Sequence, residues 1–235
     1  MNTRSGIQRK VAAFDIDGTI FRSSLLIEVV EMLIRKKIFN SKARTAYLKE
    51  QQAWNNREGG YEDYITAVVD VFMKHIKGVA YQTLVTAGKE VALIKAKCVY
   101  RYTRDLIKTL REKGYFIIAI SHSPKLILDF FCRPLGFDKV YGLKYEVDQH
   151  GRFTGKVMDP DLMFNKAAVL SRAVEKEKLT LRGSYGVGDT ESDISFLQMA
   201  AHPICFNPNH QLYMAAKKKR WPIIVERKDV IHKII

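Results

Sequence analysis

The segment Val11-Ala12-Ala13-Phe14-Asp15-Ile16-Asp17-Gly18-Thr19-Ile20 restricts this chain more than any other. Small and apolar residues after a polar, basic lead-in (Met1 to Lys10) read as a short buried strand of a parallel sheet. That strand runs directly into two carboxylates, a glycine and a threonine. Burying paired carboxylates is costly unless their charge is compensated, and a bound cation is the simplest compensation. Residues two apart on extended chain project to one side, so Asp15 and Asp17 can face one ligand. One carboxylate can attack a phosphorus atom while the other gives a proton to the leaving oxygen. Gly18 lets the backbone turn and present N–H groups to an anion. Taken alone, Asp-Gly is also an ordinary turn signal, the lesser of the two readings.

Beyond Thr19 the periodicity changes. Leu25, Leu26, Val29, Val30, Leu33 and Ile34 repeat at helical spacing, closed by Arg35, Lys36 and Lys37. A second stripe runs from Tyr61 to Ile76. A third runs from Tyr81 to Ile94 and is expected to be interrupted at Gly88. The polar stretch Ser41 to Gly60 reads as partly helical. A direct crossover between parallel strands needs far fewer residues than this. The excess reads as an inserted helical bundle, a cap over the site, with a separate helical domain as the alternative. The boundaries are 1–22 and 99–235 for an α/β core and 23–98 for the cap.

The strand–helix rhythm resumes near Arg101, with a helix ending at Lys113-Gly114. Tyr115 to Ile120 is a strand closing on Ser121-His122-Ser123-Pro124, and a helix starts near Leu126. Val140 to Val157 reads as a β-hairpin around Asp148 to Gly151, and Asn165 to Lys178 as a helix. Ser184 to Val187 is a strand ending in Gly188-Asp189-Thr190-Glu191-Ser192-Asp193, followed by a helix carrying Ile194, Leu197 and Met199. Pro203 to Phe206 and Ile223 to Val225 are the last strands, separated by a helix from Gln211 to Lys219.

Three strands thus end in polar clusters: Asp15 with Asp17, Ser121, and Asp189 with Asp193. Ligands in an open parallel sheet sit at the carboxyl ends of the strands, where Lys166 is the natural fourth member. Asp15 and Asp189, with the backbone carbonyl of Asp17, offer hard oxygen ligands suited to Mg²⁺. Lys166 and the Ser121 hydroxyl can hold phosphate oxygens, and Asp193 can orient Lys166 or a metal-bound water.

With these residues in place, the chain resembles a haloacid dehalogenase superfamily phosphatase of the phosphoserine phosphatase-like branch, subfamily IB. Asp15-Ile16-Asp17-Gly18-Thr19 matches the first motif of that family, Ser121 the second, Lys166 the third, and Gly188-Asp189 with Asp193 the fourth. The resemblance implies a Rossmann-like α/β core with a helical cap, a Mg²⁺ requirement, an aspartyl-phosphate on Asp15, and Asp17 as general acid and then base. It also implies phosphate binding by Gly18, Thr19, Ser121, His122 and Lys166. Phosphoserine phosphatases carry a Glu shortly after the first motif to hold the substrate amino group. The corresponding position in this chain is near Ser24, and the nearest acid is Glu28, four residues on, so the expected substrate is a small phosphorylated metabolite other than phosphoserine. His122 replaces a common Gly after the second-motif Ser, and its backbone N–H is expected to bind phosphate while its ring fills space. The alternatives are a phosphotransferase using the same site, and a basic nucleic-acid- or lipid-surface-binding protein whose site is vestigial.

Composition enters at this point. The 235 residues carry a net charge of +14, which favours anionic partners without choosing among them. The basic run Lys217-Lys218-Lys219-Arg220 reads as a solvated helix end rather than a nucleic-acid or lipid contact. Tyr61, Tyr64 and Trp54 are expected to fill the bundle core rather than line a pocket. Arg22, Arg57 and Arg35 with Lys36 either read a second anionic group or lie on the surface. Cys98, Cys132 and Cys205 have no metal-ligand spacing and are expected to be buried apolar residues in a reducing, cytoplasmic setting. Neither a signal peptide nor a membrane span is expected, and no nucleic-acid-binding motif is present. The oligomeric state is left open.

Overall fold

A computed structural model describes residues 8–234. The lead-in before Arg9 lies almost wholly outside the described residues. Strand β1 (Lys10–Phe14) is followed by α1 (Leu25–Arg35), a 3₁₀ turn (Ser41–Ala46), α2 (Leu48–Asn56), α3 (Tyr61–Ile76), α4 (Tyr81–Lys95) and α5 (Arg101–Glu112). Next come β2 (Phe116–Pro124), α6 (Lys125–Cys132), the hairpin β3 (Lys139–Val147) and β4 (Phe153–Met158), then α7 (Pro160–Met163) and α8 (Lys166–Lys176). Strand β5 (Thr180–Gly188) leads through a 3₁₀ turn (Glu191–Asp193) to α9 (Ile194–Leu197), β6 (His202–Phe206), α10 (His210–Lys219), β7 (Ile223–Arg227) and β8 (Val230–Ile234).

The eight strands form one sheet in the order β4-β3-β2-β1-β5-β6-β7-β8. The strands from β3 to β7 are parallel, and β4 and β8 add antiparallel edges. The α/β architecture is therefore the expected one. Progress across the sheet reverses at β1: β2 and β3 lie on one side of it, and β5 to β7 on the other. A crevice opens at such a reversal, outside the carboxyl ends of the strands. Phe14 pairs with Ala119 of β2 and with Val187 of β5. Asp15, Ser121 and Asp189 consequently emerge side by side.

Strand alternation divides the core. Ala12, Phe14, Ile117, Ala119 and Val187 share one buried cluster with residues of α1, α3, α4, α5 and α6. Val11, Ala13, Ile118 and Ile120 share a second with Val169, Leu170, Phe196 and Leu212 on the opposite face. Burial on both faces explains why these strands are apolar throughout. Helices α1 to α4 pack on one another, and α4 also packs on α6.

Several expectations need correction. Helix α4 is not interrupted at Gly88. The glycine sits where a Cβ would come 2.9 Å from Ile127 Cγ1, so its missing side chain serves close helix approach rather than a break. Cys132 and Cys205 are buried as expected, but Cys98 is exposed, in the turn before α5. Strand β2 continues through Ser121-His122-Ser123 to Pro124, with an irregular register against β3 after Ile120. The edge strand β8 is an addition. All five of its residues are exposed, so it carries no buried face for a periodicity to mark. Among the described residues, no helix is long and apolar enough to cross a membrane.

Candidate active site

Asp15 leaves β1 with its backbone N–H donating to the Val187 carbonyl of β5 at 2.9 Å, which fixes the carboxylate at the reversal point. Its Oδ1 accepts from Lys166 Nζ at 2.7 Å. The same ammonium donates to Asp193 Oδ1 at 2.5 Å. Lys166 is the first residue of α8, where Asn165 caps the helix by accepting from the Ala168 N–H. Asp193 Oδ2 accepts from the backbone N–H groups of Asp189 and Thr190 at 2.9 and 3.1 Å, folding the segment after β5 back on itself. Gly188 permits this, since a Cβ there would meet the Asp193 carboxylate 2.5 Å away.

Asp17 points elsewhere. Its Oδ1 accepts from the Leu25 N–H at 2.6 Å and its Oδ2 from the Ser121 hydroxyl at 2.7 Å. Ser121 Oγ in turn accepts from the Ser123 N–H at 2.9 Å. Thr19 Oγ1 donates to Asp189 Oδ1 at 3.1 Å, while the Thr19 carbonyl accepts from the buried Thr103 hydroxyl of α5. The Gly18 N–H turns inward, onto the carbonyls of Phe21 and Ser23. What Gly18 supplies is a φ of +85° and the space that the Asp189 carboxylate occupies.

Oxygens of Asp15, Asp189 and Asp193 all lie within 4.8 Å of one another. Three carboxylates facing one ammonium leave excess negative charge in a buried place. Burial pushes the Asp15 and Asp189 carboxyls up, each carboxylate charge adds to the effect, and Lys166 opposes it. Burial also raises Asp17, against the pull of the Leu25 N–H and the Ser121 and Ser123 hydroxyls. For Lys166, burial works against the ammonium, but Asp15 and Asp193 outweigh it and hold the group above its ordinary value. Asp15 Oδ2 is buried and has no partner among the described residues. A hard divalent cation fits this donor set: Asp15 and Asp189 have oxygens to give, whereas both Asp193 oxygens already serve the lysine and the loop.

The His122 ring lies on the α7 side. It packs 5.4 Å from the Phe164 ring. Burial, with Lys166 nearby, pushes this histidine down to about 4, and its Nε2 is buried without a partner among the described residues. Tyr64 is buried and accepts from Gln51 Nε2 at 2.9 Å. Trp54 carries the Arg57 guanidinium 5.0 Å from its ring centroid. Tyr61 behaves differently from its aromatic neighbours. Its ring packs edge-on against Trp54 and Tyr64, and burial, with the charges of Asp17 and Asp189 adding to it, pushes its hydroxyl up. Helical spacing assigns it to the bundle core, and its ring packs there. Thr103 was missed, because nothing in its local pattern distinguishes it from any helical threonine.

A family model described as haloacid dehalogenase-like hydrolase matches residues 12–198. Histidinol-phosphatase from Neisseria meningitidis serogroup C (strain 8013) is 24% identical over 231 residues, spanning 92% of this chain and 98% of that protein. A solved structure of a protein of unknown function from Bordetella pertussis Tohama I superposes with a TM-score of 0.73 at 18% identity, covering 92% of this chain and 98% of that one. A phospho-aspartyl intermediate analogue of phosphoserine phosphatase superposes with a TM-score of 0.61 at 20% identity, covering 94% and 95%. Motif order, the reversal of the sheet at β1 and a family match over most of the length all agree: the chain belongs to the haloacid dehalogenase-like hydrolase family.

Proposed function

We propose that this protein is a Mg²⁺-dependent phosphatase that hydrolyses a small phosphate monoester through an aspartyl-phosphate on Asp15. The observation that carries this reading is the asymmetry of the Asp15 carboxylate. One oxygen is held by Lys166, and the other is buried and bare. In the first step Asp15 Oδ2 forms a bond to phosphorus as the bond to the leaving oxygen breaks, and Asp17 gives that oxygen its proton. In the second, Asp17 takes a proton from water, the hydroxide attacks the phosphorus, and the Asp15 carboxylate is released with inorganic phosphate. Burial supports both roles of Asp17, since it keeps the carboxyl protonated to higher pH than an exposed one. Lys166 lets an anionic nucleophile approach an anionic substrate. Mg²⁺, held by Asp15 and Asp189 with the Asp17 carbonyl, would neutralise phosphate charge when bound. Ser121, His122 and Thr19 border the space a phosphoryl group would take, and residues 23–98 act as a cap over it.

Relatives named histidinol-phosphatase and phosphoserine phosphatase support a small phosphorylated substrate. Ser24, in place of an acid, argues against phosphoserine itself. The test is hydrolysis of para-nitrophenyl phosphate with and without Mg²⁺, by wild type and Asp15→Asn. Metal-dependent turnover that the substitution abolishes is expected. Turnover surviving in Asp15→Asn would overturn the assignment, and nitrophenol release only in the presence of an acceptor alcohol, with the phosphoryl group recovered on that alcohol and not as inorganic phosphate, would make the enzyme a phosphotransferase.

A further inference from the structure

The two ends of the sheet are finished differently. At the β4 end the backbone of the segment between α3 and α4 covers the edge. The Gly78 N–H donates to the Phe153 carbonyl at 2.8 Å, and the Phe153 N–H donates to the Val79 carbonyl at 2.9 Å. At the β8 end no backbone group among the described residues pairs with the outer edge. Exposed edges are ordinarily blunted by a bulge, a proline or clustered charge. Strand β8 has neither bulge nor proline, and pairs with β7 in unbroken register from Val230 opposite Arg227 to Ile234 opposite Ile223. Val230, Ile231 and Ile234 are 47, 36 and 36% exposed, and Lys233 is the one permanent charge of the strand.

The other side of β7 fixes which groups of β8 point off the sheet. Pro222 and Ile224 turn their carbonyls toward β6, accepting from the N–H groups of Cys205 and Asn207, and the Glu226 N–H turns the same way, to the Asn207 side chain. Ile223, Val225 and Arg227 therefore bond to β8, through Ile234, His232 and Val230. Ile231 and Lys233 are left with N–H and carbonyl groups directed outward.

We propose that this edge pairs antiparallel with the β8 edge of a second copy of the chain, about a twofold axis at His232. Ile231 and Lys233 stand one on each side of that axis. Each then exchanges both of its bonds with the other in the second copy, and one surface completes itself. Val230 meets the second copy's Ile234, apolar against apolar. Asp229, whose carbonyl accepts from Arg101 Nη2 at 2.9 Å, lies diagonally across the axis from the second copy's Lys233, within reach of that long side chain. Neither side chain has an ion-pair partner among the described residues. The axis thus brings together two copies of one opposite-charge pair, which no unrelated strand would supply by symmetry. So small a contact makes a weak, concentration-dependent dimer.

The experiment is sedimentation velocity of the full chain across about 1–200 µM, the range in which small interfaces associate, after thermal melts establish that each variant folds. Wild type is expected to pass from monomer to dimer and no further. Ile231→Pro removes an outward N–H that β7 does not use, and is expected to raise the dissociation constant about tenfold or more. Lys233→Glu and Asp229→Lys should each weaken the dimer, and together restore it. In a Cys98→Ser background, His232→Cys should cross-link under mild oxidation, because opposed residues of a non-hydrogen-bonded pair lie about 4.5 Å apart between Cα atoms. Val230→Cys should not. A wild type monomeric throughout, assembly beyond the dimer, a dimer that Ile231→Pro leaves intact, or His232→Cys cross-linking no better than Val230→Cys would each overturn the proposal. Should Ile231→Pro fail to fold, the charge exchange decides: a double variant no stronger than the single ones would overturn it.

Discussion

The Lys166 ammonium holds only one oxygen of the Asp15 carboxylate, at 2.7 Å, and leaves its Oδ2 buried without a partner among the described residues. A lysine that held both oxygens would make a closed ion pair. This arrangement fixes the carboxylate's orientation and keeps one oxygen available, with Asp193 fixing the lysine from its far side.

Removing the lysine charge should therefore affect stability and rate together. Lys166→Met leaves Asp15 and Asp193 buried and uncompensated, a loss of about 3–5 kcal/mol for a broken buried pair. Turnover of para-nitrophenyl phosphate should fall by about 10²-fold or more, as when a transition-state donor is lost. Denaturant melts and steady-state kinetics on the same preparation check both.

The metal-free protein should lose stability as pH rises. Burial, with the neighbouring carboxylates, pushes Asp15 from its ordinary value of 3.8 up to about 7. A carboxyl raised in the folded state binds its proton more tightly there than in the unfolded chain. It thus favours folding while protonated, and that contribution fades between about pH 4 and 7. In EDTA the melting temperature should decline from pH 5 to pH 8, and Asp15→Asn should flatten the decline. Mg²⁺ should raise the melting temperature more at pH 8 than at pH 5. A metal-free profile that rises across this range would contradict the assignment.

Gly18→Ala tests whether the first turn exists to admit Asp189. The new Cβ would collide with the Asp189 carboxylate, and the residue would have to hold a φ of +85°. We expect loss of the Mg²⁺-induced rise in melting temperature, a fall in turnover of about 10²-fold, and a stability cost of about 1–2 kcal/mol from the left-handed backbone.

Gly88→Val probes the contact of α4 with α6, away from the carboxylates. Its Cβ would press within 2.9 Å of Ile127 Cγ1, and such overpacking typically costs about 1–3 kcal/mol. Chemical denaturation should register that loss, with the Mg²⁺-induced stabilisation retained.

The polar ends of the strands were legible in the sequence because buried charge is rare and each cluster followed an apolar strand. Asp15, Asp17, Ser121, Lys166, Asp189 and Asp193 are drawn together because the register of β1 against β2 and β5 aligns their C-terminal ends. Less legible was what each polar atom would bond. Residue type suggests that a glycine after a carboxylate offers its N–H to an anion, yet the Gly18 N–H is taken by Phe21 and Ser23. Periodicity assigns a residue to a helix face without saying what its hydroxyl meets: Tyr61 packs on the bundle core as expected, while the charges of Asp17 and Asp189 help push its hydroxyl up. A helix breaker and a close-packing residue are the same letter, which is why Gly88 was misread. Strand β8 has no buried side, and only its partner β7 reveals it.

The order of strands also governs when the site can come into being. During synthesis β1 emerges long before its flanking partners, β2 from Phe116 and β5 from Thr180. Asp15 must therefore wait, first for its counter-charge at Lys166 and then for the Val187 carbonyl. A ribosome-bound chain halted ahead of β5 carries an apolar strand with one side unpaired. Assembly of this centre belongs to the last third of translation, and until then the nascent chain has a strand edge to shield.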